Sequence, residues 1–277
     1  DDLIGMRSLP GENGFDYSTM NWAKLTNRGY ELSLSTVNVK TKDFRWVMDF
    51  NLAHNKSKIN RLNVRDNSYE PSREGYSVGA VFSLKTAGLD ENGLQMFYNK
   101  QGEKVSFNDF FGLEYGYMMG GLIPFLKSNL SAEEYRNLFT YEGTTEPKFT
   151  GGWINRFYYK NFDLTVSASF VLDQTVQEQP FYNPVQTSPG QNYSRRMSQI
   201  WSPDNTSGKY PRIMGTYTEG EENWAYQWLG MLDPGNSYRK YDYWFKKMSY
   251  MRINSIRLGY TFPERLLGHI GFSSARI

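Results

Sequence analysis

Residues Phe162 to Leu172 alternate almost without fault. Phe162, Leu164, Val166, Ala168, Phe170 and Leu172 are apolar, while Asp163, Thr165, Ser167 and Ser169 between them are polar; only Val171 breaks the pattern. Successive side chains point to opposite faces of a strand, so this segment has one greasy face and one wet face. Eleven residues also match the length of a tilted strand that crosses a bilayer. The greasy face must therefore be turned either to a protein core or to lipid.

Composition leaves both options open. The chain has 277 residues, and 39% of them are hydrophobic. No run of about 18 apolar residues is present, which excludes a helical span. A barrel is still allowed, because its strands dilute their apolar content with lumen-facing polar groups. Aromatic residues reach 17%. That suits interfacial girdles, and equally an aromatic-rich β-sandwich or carbohydrate- or peptide-contacting loops. There are no cysteines, which removes disulfides, thiolate nucleophiles and Cys-ligated metals. A net charge of +2 gives no nucleic-acid footprint. No signal peptide is visible at Asp1, so an export signal would lie outside this chain.

Other segments follow the same rule. Phe44, Trp46, Met48, Phe50, Leu52 and His54 share one parity. Residues 30–39, with Leu32 and Leu34 opposite Glu31, Ser33 and Ser35, precede them through the polar link Lys40-Thr41-Lys42-Asp43. That arrangement predicts a hairpin. Residues 149–159 should join 162–172 through a tight Lys160-Asn161 turn. A late strand spans about 255–262, with Ile256, Leu258, Tyr260 and Phe262 on one face. Met251 and Ile253 have the opposite parity, which predicts a bulge near Asn254. Pro263 should end this strand, and another begins near Ser274.

Two long segments separate the hairpins, roughly 55–148 and 173–250. Residues 76–84 suggest a strand within the first. Residues 131–139 suggest a helix, opened by a Ser131–Glu134 capping box. Loops this long are usually functional. Short turns and long loops alternate, and every short turn falls on one side, as in outer-membrane barrels. About six strands are visible, fewer than the eight that begin such barrels. The expectation is a portion of a larger barrel.

The residues then resemble a known family, the SusC/RagA-like TonB-dependent outer-membrane transporters of Bacteroidota. The matching stretches are Asn27-Arg28-Gly29-Tyr30-Glu31-Leu32, Trp46 through Leu62, and Glu74-Gly75-Tyr76-Ser77-Val78-Gly79. They continue with Tyr159-Lys160-Asn161-Phe162-Asp163-Leu164, Trp201-Ser202-Pro203-Asp204-Asn205 and Met251 through Tyr260. Six weak motifs in the expected order make a specific signal. Only Asp90-Glu91-Asn92-Gly93 stands where many relatives carry a longer Asp-Gly-rich run, so no ion site is carried over. The resemblance implies an all-β, transmembrane antiparallel β-barrel with long extracellular loops. Residues 1–277 would be the C-terminal strands of a 22-stranded barrel, the size of plugged outer-membrane transporters. The plug domain and final strand would lie outside them.

Site-like signals are few. Gly75-Tyr76-Ser77-Val78-Gly79 spells a nucleophile elbow, but no helical pattern follows and only His54 and His269 exist to serve it. Two isolated histidines do not make a metal centre. Asp90, Glu91, Glu221 and Glu222 sit in turn-like contexts and read as solvated loop charge. Trp201, Trp224, Tyr226 and Trp228 are the candidate contacts for substrate or partner, with loop packing as the plainer reading. Trp46, Phe50 and Phe170 should face lipid.

The resulting expectation is nutrient import across the bacterial outer membrane, without catalysis, cofactor or metal. By the resemblance, cargo would be an oligosaccharide or peptide, a SusD-like lipoprotein would be the lid, and TonB–ExbB–ExbD would supply energy. The alternative is a secreted β-rich glycan-binding or adhesin module. It predicts that the greasy faces at 44–54 and 162–172 pack on each other.

Overall fold

The computed structural model describes residues 2–8, 10, 12, 14–62, 71–118, 123–184, 190–213, 237–268 and 272–277. Its frame is one antiparallel sheet. The strands are β1 (Asp2–Ser8), β2 (Tyr17–Lys40), β3 (Phe44–Leu62), β11 (Phe149–Tyr159), β12 (Phe162–Gln177) and β13 (Phe245–Tyr260), paired in that order. The described residues between β3 and β11, and those between β12 and β13, lie outside this sheet.

Register puts the apolar parities of five strands on one face. Leu34 lies opposite Phe50, Phe50 opposite Trp153, Trp153 opposite Ala168, and Ala168 opposite Ile253. The next rungs repeat this with Leu32, Leu52, Gly151, Phe170 and Met251. Phe170 stacks on Phe50 with ring centroids 6.3 Å apart and leans over Gly151. A Cβ at Gly151 would meet the Phe170 ring at 2.6 Å and the Asn51 carbonyl at 2.3 Å. Glycine is required there by close approach.

The bulge expected near Asn254 is present. Ser167 pairs with Ser255 but Ala168 pairs with Ile253, so Asn254 is the extra residue. The inserted residue flips parity. Ile256 and Leu258 on one side, and Ile253 and Met251 on the other, thereby end on the same face. All four are more than half exposed.

The short turns are tied to one another. Lys160 adopts φ 50°, its N–H donates to the Asp43 carbonyl at 2.9 Å, and Asn161 donates through its amide to the Thr261 carbonyl at 2.9 Å. Thr261 forms a bridge with Arg276, and the Tyr260 and Ile277 backbones exchange two hydrogen bonds. A further strand thus starts to pair where the sequence suggested one.

The strands run longer than the alternation suggested. β2 begins thirteen residues before Tyr30, β3 continues eight past His54, and β13 begins ten before Ser255. Beyond the apolar rungs these ends are polar on one face, so periodicity of hydrophobicity does not mark them. Strand β1 was not expected at all.

Among the described residues, the first long segment is built, not irregular. The first contains β4 (Ala80–Leu84), β5 (Thr86–Leu89), β6 (Gln95–Tyr98), β7 (Lys104–Val105), α1 (Phe107–Phe111), β8 (Leu113–Met118), β9 (Ile123–Ser128), α2 (Ala132–Arg136) and β10 (Phe139–Thr144). The strand expected over 76–84 starts only at Ala80, because 74–79 are turns. The helix expected over 131–139 is the five-residue α2, with both halves of its Ser131–Glu134 capping box formed. Those bonds from the Ser131 side chain and backbone hold the Glu134 carboxyl below its ordinary pKa.

Candidate functional site: a two-faced wall and an aromatic loop block

The wall separates two chemistries. Opposite the apolar face, Asp49 pairs with Arg156 across β3 and β11. The Ser167 and Ser255 hydroxyls lie 2.9 Å apart, and Ser169 donates to Asn254 at 3.2 Å. At the short-turn end, Arg276 donates to Asp163 at 2.6 Å. Asp49, Arg156, Asp163, Ser167 and Ser169 each alternate with members of the apolar face, and the inserted Asn254 and the bridge residue Arg276 add to the polar side.

Beside the wall, described residues of the two long segments share one core. Leu84, Phe97, Phe107, Phe110, Phe111, Leu113 and Tyr135 from the first pack with Tyr241 and Trp244 from the second. Phe97 stacks on Phe110 at 4.4 Å and meets Tyr241 edge-on at 5.3 Å. Thr86 donates to the Asp242 carboxylate at 2.6 Å, adding a polar tie between the segments.

Within the second segment, Glu178 pairs with Arg196 and with Lys246 at the start of β13. The Arg196 guanidinium sits 4.5 Å over the Phe181 ring and donates to the Tyr210 hydroxyl at 2.8 Å. The Lys246 ammonium, and then Arg196, hold the Glu178 carboxyl below its usual range, while the Tyr210 contact raises Arg196.

Trp201 is placed by its neighbours. Its ring rests on Gly93, whose φ is +76° and where a Cβ would lie 2.4 Å from the indole. Its N–H donates to the Tyr210 carbonyl at 2.9 Å, and Arg212 N–H donates to the Gly93 carbonyl at 3.0 Å. Trp201 therefore packs one long segment onto the other. Trp224, Tyr226 and Trp228 lie outside the described residues, as do Glu221, Glu222 and His269.

The elbow spelling at 75–79 has no elbow. Ser77 sits in a turn and donates to Thr144 at 2.8 Å. His54 instead contacts the Lys148 carbonyl at 2.6 Å and sits between the tilted rings of Tyr30 and Phe149, at 4.9 and 5.1 Å. These three rings close the apolar face at its loop end. Among the described residues, no three His, Asp or Glu side chains gather as a metal site, and no helix is long and apolar enough to cross a membrane.

A cleft of about 870 Å³ opens where β3, β12 and β13 meet the loop block. His54, Lys56, Lys58, Tyr141, Lys148 and Lys247 are among its lining residues. Its floor is braced by Ser57, whose buried hydroxyl donates to Glu146 at 2.8 Å and accepts Val78 N–H at 3.0 Å. Burial pushes the Tyr141 phenol up. Sequence reasoning missed this cleft and the Arg196 node. The spacing of Lys56 and Lys58 on an extended strand was the one available signal.

No family model matches the chain. It is similar to TonB-dependent receptor P3 of Formosa agariphila, 27% identical over 295 residues that cover 100% of this chain and 26% of the relative. It is similar to TonB-dependent receptor SusC of Bacteroides thetaiotaomicron, 24% identical over 95% of this chain and 23% of the relative. In fold it matches a chain of the RagAB peptide importer in its closed-closed state, with TM-score 0.66 and 18% identity, over 100% of this chain and 27% of that one. The open-open state matches with TM-score 0.64. The chain thus spans about a quarter of the length of the relatives it matches, and its fold is that of a strip of such a barrel.

Proposed function

We propose that this chain, which resembles SusC/RagA-like TonB-dependent transporters over its whole length, forms one side of an outer-membrane import conduit. One observation carries the reading. Five neighbouring strands present a continuous apolar face, and among the described residues no element packs over it. An isolated patch of that size on a water-soluble monomer would be an aggregation hazard. Against lipid it is an ordinary barrel exterior, capped by Tyr30, His54 and Phe149 at one interface.

The faces at 44–54 and 162–172 lie side by side in one sheet, across β11. A sandwich-like adhesin would have packed them against each other, so the structure removes the support for that alternative. The polar face with Asp49 and Arg156 would line the lumen. Cargo is proposed to be an oligosaccharide or peptide. A SusD-like lipoprotein would cover the loop block, and TonB–ExbB–ExbD would act through parts of the protein outside this chain. Residues 1–277 would supply the C-terminal strands of the barrel, and the wall itself would break no bond.

Fractionation tests this. The full-length protein should be recovered with outer membranes and run as a heat-modifiable band in detergent. Recovery as a detergent-free soluble monomer would overturn it.

A further inference from the structure

The apolar face ends in a strip of cations. On β2, Arg28, Thr26 and Lys24 follow Tyr30 at the same parity. On β3, Lys56 lies opposite Arg28, Lys58 opposite Thr26, and Arg61 opposite Lys24, a bulge at Asn60 keeping Arg61 in step. Residues directly opposite share a face, so five cations occupy three alternate rungs beyond the Tyr30–His54 pair. Lys148, just before β11, and Lys247 on β13 lie at the same end of the sheet. The Lys148 ammonium lies 5.9 Å over Phe149, and Lys247 has the parity of Met251 and Ile253.

The other face of the same rungs is different. Ala23, Ser57 and Ile59 are buried there. The cations are all exposed, and among the described residues none of the seven forms an ion pair. Of the nearby carboxylates, Glu142 pairs with Lys85, Glu146 accepts from Ser57, and Glu74 accepts from Leu62 N–H at 3.3 Å, while Asp2 stands opposite Lys24 in register and Asp173 lines the cleft beside Lys148 and Lys247. Like charges placed opposite one another weaken a strand pair. Arg28 with Lys56, and Lys24 with Arg61, do this on either side of the Thr26–Lys58 rung. Such an arrangement is stable when an anion lies across it.

We propose that this strip and the adjoining cleft hold the phosphate groups of a phosphorylated glycolipid in the outward leaflet. The inference rests on the membrane reading above. Phosphate suits the site because a guanidinium can bind it through two parallel hydrogen bonds and ammonium groups supply point charge. A lipid suits it because the strip continues directly from Leu32, Leu52 and Phe149. Acyl chains would lie on that face while the headgroup meets Arg28, Lys56 and Lys58. At about 3.3 Å per residue, Arg28 to Lys24 covers about 13 Å above the aromatic rings.

The test uses the full-length protein in lipid discs of neutral phospholipid doped with a phosphorylated lipid A. Bound lipid is counted by native mass spectrometry. Wild type should retain the phosphorylated lipid at least tenfold over its phosphatase-treated form, and millimolar inorganic phosphate should not displace it. The R28Q/K56Q/K58Q variant should lose that preference, and R28K/K56R/K58R should keep it. Equal retention of the dephosphorylated lipid by wild type would overturn the inference even if the glutamine variant fails to assemble. So would unchanged retention in an assembled glutamine variant, or full displacement by free phosphate. Failure of the wild-type protein to enter discs at all would overturn the membrane reading instead.

Discussion

Trp46 Nε1 donates a 3.0 Å hydrogen bond to Asn155 Oδ1 across the β3–β11 pair. Both side chains belong to the apolar face, so the one amide in the middle of that face satisfies the indole. Asn155→Leu should strand the indole N–H and destabilise the wall by about 1–3 kcal/mol, the usual consequence of leaving a donor unpaired away from water. Adding Trp46→Phe should recover most of the loss. Urea unfolding of the protein in lipid vesicles measures both variants, and additive losses would argue against the pair.

Val166 lies between Asn155 and Ile256 near the middle of the same face. Val166→Arg should cost about 2–4 kcal/mol if this position meets the bilayer midplane. Ser167→Arg, one residue away on the other face, should cost far less. Equal losses in folding assays in vesicles would contradict the assignment of faces.

The Gly93–Trp201 contact predicts a loop defect without a wall defect. Gly93→Ala combines a left-handed backbone with a Cβ driven into the indole, and should destabilise the loop block by about 1–3 kcal/mol. Limited proteolysis between residues 90 and 212 should speed up, while heat-modifiability of the barrel stays unchanged.

Acid should loosen the same block through Glu178. Its folded pKa is lowered by Lys246 and Arg196, so its contribution is fully present above the ordinary glutamate value of 4.5. That contribution fades as pH falls from 4.5 through the lower folded value, where the native carboxylate takes up its proton. Amide exchange of residues 178–212 should rise in that window. In Glu178→Gln the rise should be absent, the exchange being already elevated at neutral pH.

Lys160 holds φ 50° in the β11–β12 turn without being glycine. Lys160→Gly relieves that strain but frees the unfolded chain, so a net gain no greater than about 1 kcal/mol is expected. Denaturant midpoints of the two proteins give the answer, with Lys160→Val as the destabilising control.

The wall was legible because its physics is local. Alternation from Phe44 to His54 and from Phe149 to Leu172 states which side chains share a face, and the parity break at Asn254 states where a residue is inserted. The loop block was not legible, because its core is assembled from distant residues. Phe97 and Tyr241 touch across 144 positions of sequence, and neither sits in a periodic run. Trp201 was found as an aromatic of interest, yet its contact with Gly93 is set by a turn that no spacing rule exposes. The cationic rungs escaped notice for a related reason. Arg28 and Lys56 become a pair only once the β2–β3 register is known.

The shared aromatic core of the two long segments bears on how such chains can diversify. A surface made of independent loops can be changed piecemeal, each loop exchanged or lengthened while its neighbours stand. Here Phe97 and Phe111 depend on Tyr241 and Trp244 for their burial. Replacing either segment alone exposes half a core, so a graft between relatives must carry both together. The unit of inheritance for whatever this end of the protein recognises is the pair.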